Sequence, residues 1–466
     1  MTDYERFLET KKQTAVSSGF GKAKAEMNPH MFEWQKDVVY WALRKGRCAL
    51  FEDCGLGKCI QSLEWGTSVA KYCNKPVLFI CPLSVAEQTK READKFGFEN
   101  VRVVRDQNQI IQGVNVTNYE ILDHFDVSVF SGVILDESSI LKNFSGKMRN
   151  EIIEKFCDTS YKLSCTATPA PNDFMELGNQ AEFCGVMSRT EMLATYFIHD
   201  GGDTSKWRLK GHAQNRFWEW LATWAVVLTN PADLGYSRDG YVLPELNTEQ
   251  IIIKSDENII NDNYSFFANV AQTLNERRNA RRNSLTDRCK ATLEIINKEP
   301  DAQWLIWCDL NAEADELKRI ISDAVEVRGT DDPDAKADRL NQFTIGNIRR
   351  LIVKPSIAAW GLNWQNCHNM IFVGLSDSFE MMYQAVRRCW RFGQKSAVNV
   401  YIITSEAEGA VKENIERKEK QAAKMTAEMV AHTKEILEEE IRGTVRITIP
   451  YNPQIKMEIP KWLMSA

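Results

Sequence analysis

The chain alternates short continuous apolar runs with longer stretches in which apolar residues recur at three- and four-residue spacing. Val77–Cys81, Val133–Leu135 and the apolar start Tyr161–Leu163 read as strands buried on both faces, and Ile60–Ala70 and Ser84–Phe96 read as amphipathic helices. This alternation predicts a parallel sheet covered by helices on both sides. The pattern changes near Arg189–Asp239, where four tryptophans gather. Phe217, Trp220, Leu221, Trp224, Val227 and Leu228 fall on one helical face, which predicts a core-facing stripe. Trp207 and Trp218 lie off that stripe and remain for exposed contacts. Gln250–Lys254 predicts a strand, and 263–298 a long helix closed by Pro300. A second α/β series follows, with strands at Trp304–Cys308, Arg350–Val353 and Met370–Val373 and a helix at Ala312–Ser322. Ser405–Arg442 has a charged helical pattern, and Thr444–Ile449 alternates.

The expected organisation is a flexible polar leader over 1–28 with a break at Ser17-Ser18-Gly19, then a first lobe over 29–240 with a helical insertion at about 185–240. A second lobe follows over 241–425 with a basic helical insertion at about 263–298, and a C-terminal helix and tail over 426–466. Two α/β units of this size imply two lobes with a cleft between them. The length of 466 residues fits about three units of ~150. A hydrophobic share of 44% excludes wholesale disorder. With 58 basic against 64 acidic residues the net charge is −6, which excludes a generally cationic binder but allows a local basic stripe. No apolar stretch approaches the ~20 residues of a membrane span, and Met1–Met27 carries no apolar signal segment. Twelve cysteines, none in a CxxC cluster, point to reduced thiols of a cytoplasmic protein rather than to zinc or haem.

Three segments carry chemistry. Ala49–Phe51 runs into Cys54-Gly55-Leu56-Gly57-Lys58-Cys59 and then a helix, an arrangement in which backbone N–H groups, a lysine and a helix N-terminus converge on phosphate. Glu52 stands at the usual first glycine, and Cys59 replaces the usual hydroxyl ligand of Mg²⁺, leaving at most a weak or water-mediated ligand there. Asp136-Glu137 follows an apolar strand, where one carboxylate can hold Mg²⁺ and the other can orient the attacking water. In Gln384–Gln394, Arg388 and Arg391 share one helical face and suit the charge of a transferring phosphoryl group. Thr166 and Thr168 end another strand and are placed to sense the γ-phosphate or link the lobes. Arg277, Arg278, Arg281 and Arg282 form i,i+4 pairs of like charge. Nucleic-acid phosphate or internal acidic partners would each satisfy that stripe.

The order of these segments resembles the SWI/SNF-type branch of superfamily 2 helicases, in the compact form found in bacteriophages, from about Pro29 to Lys424. Trp34-Gln35 resembles the adenine-reading motif, Gly55-Leu56-Gly57-Lys58 motif I, and Phe79–Ser84 motif Ia. Asn118-Tyr119-Glu120 resembles a DNA-contact motif, and Asp136-Glu137 with Leu141-Lys142-Asn143 resembles motif II, with Ser139 where a histidine is usual. Thr166-Ala167-Thr168-Pro169 with Asn172 is similar to motif III, Ala359–Asn363 to motif V, and Gln384–Gln394 to motif VI.

The resemblance implies two RecA-like lobes binding ATP and Mg²⁺ between them. Catalysis would fall to Lys58, Glu137, Arg388 and Arg391, and nucleotide binding to Gln35, residues 54–59, Gly361 and Gln384. Asp136 would anchor the metal, Asn118, Trp207 and the arginine stripe would contact DNA, and Thr166, Thr168, Asn172 and Gln394 would couple the lobes. The expected activity is ATP-driven translocation on double-stranded DNA, in the cytoplasm or that of a phage's host, with replication or recombination proteins as partners. An RNA-dependent helicase and a slow-turnover, ATP-gated DNA-binding module are the alternatives.

Overall fold

The computed structural model describes residues 15–143, 145–200, 203–253, 282–359, 361–374, 378–405 and 409–442. The first lobe is a seven-stranded, all-parallel sheet: β1 (Arg47–Glu52), β2 (Val77–Cys81), β3 (Val101–Val103), β4 (Val114–Asn118), β5 (Gly132–Asp136), β6 (Tyr161–Thr166) and, beyond a two-stranded ribbon of β7 (Phe197–Asp200) and β8 (Asp203–Leu209), β9 (Ala225–Leu228). Its order is β3-β4-β2-β5-β6-β1-β9. The second lobe orders β10 (Leu246–Ile253), β11 (Trp304–Trp307), β12 (Val325–Val327), β13 (Arg350–Val353), β14 (Asn369–Val373) and β15 (Val398–Ser405) as β10-β15-β14-β11-β13-β12, again all parallel. The two doubly wound lobes expected from the alternation of runs are therefore present.

Register brings the chemistry together. β6 lies between β1 and β5, with Phe51 opposite Thr166 and Asp136 opposite Cys165. The phosphate loop, the acidic pair and the threonine motif therefore leave three adjacent strands at the same carboxyl edge, where open α/β sheets bind ligands.

Four readings of the sequence are corrected. The tryptophan-rich stripe is buried, but its helix stops at Ala222, and Ala225–Leu228 pairs as an edge strand with β1. A short apolar run fits either period, and no glycine or proline marks the break. Trp218 is not exposed; it is 1% accessible and stacks on His432. The described part of the leader, expected to be a flexible appendage, is docked on the first lobe. Ser18, Gly19 and Phe20 donate their N–H groups to the carbonyls of Lys45, Arg44 and Leu43 at the end of the helix Glu33–Lys45. A Cβ on Gly19 would lie 1.8 Å from the Leu43 carbonyl oxygen, so only glycine permits this approach. Finally, one helix, Gly409–Arg442, runs unbroken through position 425 and returns to the first lobe, burying Leu437 and Ile441 and bonding Glu440 to Trp41 Nε1 (2.9 Å). Residues 263–281 and the tail from 443 lie outside the described residues.

Candidate active site

The phosphate loop is shaped by two glycines with left-handed backbone, Gly55 (φ 88°) and Gly57 (φ 83°). A Cβ on Gly57 would lie 2.4 Å from Gln35 Nε2, so the loop can close over that side chain only with glycine there. Gln35 is buried and braces the turn, donating to the Leu56 carbonyl (2.8 Å) while accepting from Phe32 N (3.0 Å). Lys58 opens the helix Lys58–Cys73, and its ammonium donates to the carbonyls of Glu52 (2.6 Å) and Asp53 (3.1 Å). Cys54 turns its sulfur toward Gln384 Oε1 of the second lobe, 3.6 Å away.

Glu137 is one of three non-glycine residues with positive φ among the described residues (54°). That conformation costs of order 1 kcal/mol or more and is usually retained where a side chain must be aimed. Its Oε2 is buried with no hydrogen-bond partner among the described residues. Burial raises its pKa, against the opposing charges of Lys58, Arg388 and Arg391. Burial, then the neighbouring Glu137 charge, pushes Asp136 up to about 7. The Tyr119 hydroxyl donates to the Asp136 carbonyl (2.7 Å) and fixes the end of β5.

Arg388 and Arg391 leave the end of the helix Phe379–Val386. Arg388 donates to the Gln384 carbonyl (2.9 Å), Gln384 Oε1 (2.9 Å) and the Leu362 carbonyl (3.2 Å). Arg391 donates to the same Leu362 carbonyl (3.1 Å), and its Nε has no partner among the described residues. Neither guanidinium has a carboxylate ion pair among the described residues. Burial and the Arg388 charge push Arg391 down to about 10. A buried and a half-buried cation side by side, neither in a carboxylate ion pair, suit an anionic ligand.

These features fit a nucleoside triphosphate with a divalent ion. Lys58, the loop N–H groups and the two arginines would hold the phosphates, and Asp136 the metal, whose part is to neutralise phosphate charge. Cys59 fits the metal poorly. Burial, with Glu92 and Asp136 beside it, raises its thiol well above the ordinary range, so no thiolate is offered at neutral pH. Among the described residues no cluster of three His, Cys, Asp or Glu side chains is placed to hold a metal alone, and a divalent ion here would complete its shell with phosphate oxygens and water.

The remaining expected residues divide. Thr168 reaches the second lobe, its hydroxyl donating to Glu380 Oε1 (3.1 Å), and Thr166 Oγ1 accepts from Thr168 N (3.1 Å). Gly361 (φ 74°) presses on the first lobe, where an added Cβ would lie 2.3 Å from Val85. Asn172 bonds Glu176, and its carbonyl accepts from Gln421 of the C-terminal helix (2.8 Å). Among the described residues Gln394 bonds its own lobe alone, donating to the Cys367 and Cys389 carbonyls. Asn118 is mostly buried, and its side chain caps the turn Tyr119–His124 by accepting from Glu120 N (3.1 Å). Trp207 lies on the β7–β8 ribbon, half-buried against His199 (ring centroids 3.6 Å apart), and is not brought to the nucleotide residues. Arg277, Arg278 and Arg281 lie outside the described residues; Arg282 is exposed.

Sequence reasoning missed the partners that join the lobes. Arg387 pairs with Asp53, Glu380 with Lys142, and Asn363 Nδ2 donates to Glu92 Oε1 (3.2 Å). Arg387 sat inside a motif already singled out, whereas Glu380 had no local signal. Beside these contacts a cleft of about 1130 Å³ opens between the lobes, lined by Leu83, Arg91 and Lys142 on one side and Lys336, Asn341 and Asn363 on the other.

Glu52, wholly buried beneath the loop, is pushed up to about 7 by burial, against the pull of Lys58 and of the Gln61 side chain that donates to its Oε2 (2.8 Å). Its other oxygen has no partner among the described residues. The folded state therefore binds this proton more tightly than the unfolded chain, and ligand-free stability contributed by the protonated form is lost as pH rises from about 4.5 to about 7. Glu52→Gln is expected to melt at a higher temperature than the natural chain at pH 8 and with little difference at pH 4.5; equal melting curves at pH 8 would refute this.

Comparison with known proteins adds the following. Residues 34–192 match the SNF2-related domain, and residues 287–393 match the helicase conserved C-terminal domain, together more than half of the chain. The SWI/SNF-related matrix-associated actin-dependent regulator of chromatin subfamily A-like protein 1 of Xenopus tropicalis is 33% identical over 169 residues, 34% of this chain and 17% of that protein. The DNA annealing helicase and endonuclease ZRANB3 of Mus musculus is 27% identical over 176 residues, 34% of this chain and 16% of that protein. The aligned segment thus spans about a sixth of these relatives' length. A solved Sulfolobus solfataricus SWI2/SNF2 ATPase core in complex with dsDNA is 18% identical, with a TM-score of 0.40, covering 89% of this chain and 97% of that one. Among the described residues no helix is long and apolar enough to cross a membrane.

Proposed function

Because the chain belongs to the SWI/SNF-type branch of superfamily 2 helicases, we propose that it is a DNA-dependent ATPase that converts hydrolysis between its lobes into movement along duplex DNA. The observation that supports this best is the half-buried Glu137 carboxylate, whose Oε2 has no hydrogen-bond partner among the described residues, under the charges of Lys58 from its own lobe and Arg388 and Arg391 from the other. A base, a phosphate-binding lysine and two arginines outside any ion pair among the described residues meet only when the lobes meet, so nucleotide bound there would favour the closed state. The mouse relative is named a DNA annealing helicase and the frog relative a regulator of chromatin, names that point the same way. Arg282 and the arginines preceding it are proposed to take backbone phosphate. Mg²⁺ is proposed to be held by Asp136 and the nucleotide. Phosphate release measured alone, with duplex DNA and with duplex RNA tests the reading: stimulation by DNA supports it, stimulation by RNA alone selects an RNA-dependent helicase, and no turnover under any condition overturns it.

The protonated Cys59 thiol favours weighing a second reading, a module that binds ATP and hydrolyses it slowly. Glu137 and both arginines would be idle in such a module, and the motor reading is preferred for that reason. Cys59→Thr is then expected to lower the Mg²⁺ concentration needed for half-maximal DNA-stimulated activity. Superimposable Mg²⁺ titrations would show that the thiol leaves the metal site unaffected.

A further inference from the structure

We propose that Arg387 and Glu380 are positioning residues, whose ion pairs at opposite ends of one helix register the second lobe on the phosphate loop so that Arg388 and Arg391 meet their substrate. This rests on the reading of those two arginines as groups that stabilise a transferring phosphoryl.

The helix Phe379–Val386 is about 12 Å long. Near its N-terminus the buried Glu380 carboxylate pairs with the Lys142 ammonium and accepts from Thr168 Oγ1 (3.1 Å), both of the first lobe. Just past its C-terminus the buried Arg387 guanidinium pairs with Asp53 Oδ2 (2.5 Å) and donates to the Cys54 carbonyl (2.9 Å). Between them the Tyr383 hydroxyl donates to the other Asp53 oxygen (2.5 Å). The rings of Trp390 and Tyr383 lie 5.0 and 5.8 Å from the Arg387 guanidinium carbon and limit where it can swing. The helix is thus fastened at both ends and in the middle to the strand ends that carry the phosphate loop, the acidic motif and the threonine motif.

Among the described residues, the Arg388 and Arg391 side chains hydrogen-bond only within their own lobe, at Gln384 and Leu362. Their aim within the second lobe is fixed by those oxygens; their distance from Lys58 and Glu137 is fixed by their neighbours. Arg387 cannot serve as a third finger while Asp53 neutralises it, and Glu380 faces lysine and threonine side chains. Removing one member of a buried pair leaves an unpaired charge, whereas reversing both restores the pair. That asymmetry separates positioning from a merely structural contribution.

The test uses the full chain. Arg387→Ala and Glu380→Lys are each expected to lower kcat for DNA-stimulated hydrolysis by about tenfold or more, since small misplacements of catalytic groups cost that much. KM for ATP should change much less. Arg387→Lys should retain part of the rate, and Lys142→Glu combined with Glu380→Lys should recover most of what Glu380→Lys loses. Nucleotide-free small-angle scattering should give a larger radius of gyration for Arg387→Ala/Glu380→Ala than for the natural chain. Single variants at the natural rate, or an exchanged pair as slow as Glu380→Lys, would overturn the proposal. If the natural chain releases no phosphate with DNA, the proposed function fails instead. Scattering then decides alone: an unchanged radius overturns the latch, and a larger one supports it.

Discussion

Glu137→Gln is expected to bind ATP as the natural chain does and to hydrolyse it roughly 10²–10⁴-fold more slowly, the usual worth of a positioned general base. Glu137 follows β5 in a left-handed conformation that a non-glycine residue adopts at a cost, and the result is one buried carboxylate oxygen with no hydrogen-bond partner among the described residues. An acceptor in that state is expensive unless a donor arrives, and a water in line with a γ-phosphate is such a donor. The surrounding charges set its protonation. Burial raises the pKa, while Lys58, Arg388 and Arg391 oppose the rise. Closure that strengthens contact with those cations would hold the group ionised and ready to accept a proton. Glutamine keeps the shape and removes the base. It also removes a buried charge, so the variant should melt no lower than the natural chain, and slow turnover cannot be ascribed to unfolding. Single-turnover phosphate release with a parallel nucleotide-binding measurement checks both halves; an unchanged release rate would remove Glu137 from the reaction.

The two lobes, and the segments that the fold gathers at one sheet edge as the candidate site, were legible because each signal was local. Continuous apolar runs marked β2, β5 and β13, and strand–glycine–lysine–helix marked the phosphate loop. β4 was not legible, because its sequence VNVTN buries Asn115 and Thr117; Asn115 is satisfied by the Ile111 N–H and carbonyl, a bond no periodicity reveals. The stripe at 217–228 was rightly placed in the core and wrongly given one secondary structure, since burial constrains hydrophobicity more tightly than period. What joins the lobes was illegible for another reason. Arg387 and Asp53 are 334 positions apart, and Trp41 and Glu440 are 399 apart. A charged residue in a helical pattern reads as solvated until the fold supplies its partner. Asn118 shows the converse: a matching motif drew attention to a side chain whose oxygen is already committed to capping a turn.

Arg391→Ala is expected to cost roughly 10³-fold in turnover, the scale of a lost arginine finger, with a much smaller loss of nucleotide affinity. The separation of the two effects follows from when the charge is needed. Lys58 and the loop N–H groups would already meet the phosphates of bound ATP, whereas the second-lobe cations would act most on the charge that develops as the γ-phosphoryl leaves. Arg391 is the cleaner target of the pair. Arg388 makes three hydrogen bonds that hold its helix end to Leu362, so its removal disturbs packing as well as charge. Arg391 makes one, and its Nε has no partner among the described residues. Burial and the adjacent Arg388 already push its pKa down to about 10, so the ligand-free protein pays to keep it charged. Alanine relieves that repulsion, and the variant's melting temperature should stay level or rise while its rate collapses. Arg391→Lys, which keeps a charge but loses the planar fork, should recover only part of the rate. Turnover, ATP affinity and melting temperature measured on the same preparations decide the matter: a natural rate in Arg391→Ala would exclude it from the reaction, and a rate loss matched by an equal loss of ATP affinity would make it a ground-state binding residue instead.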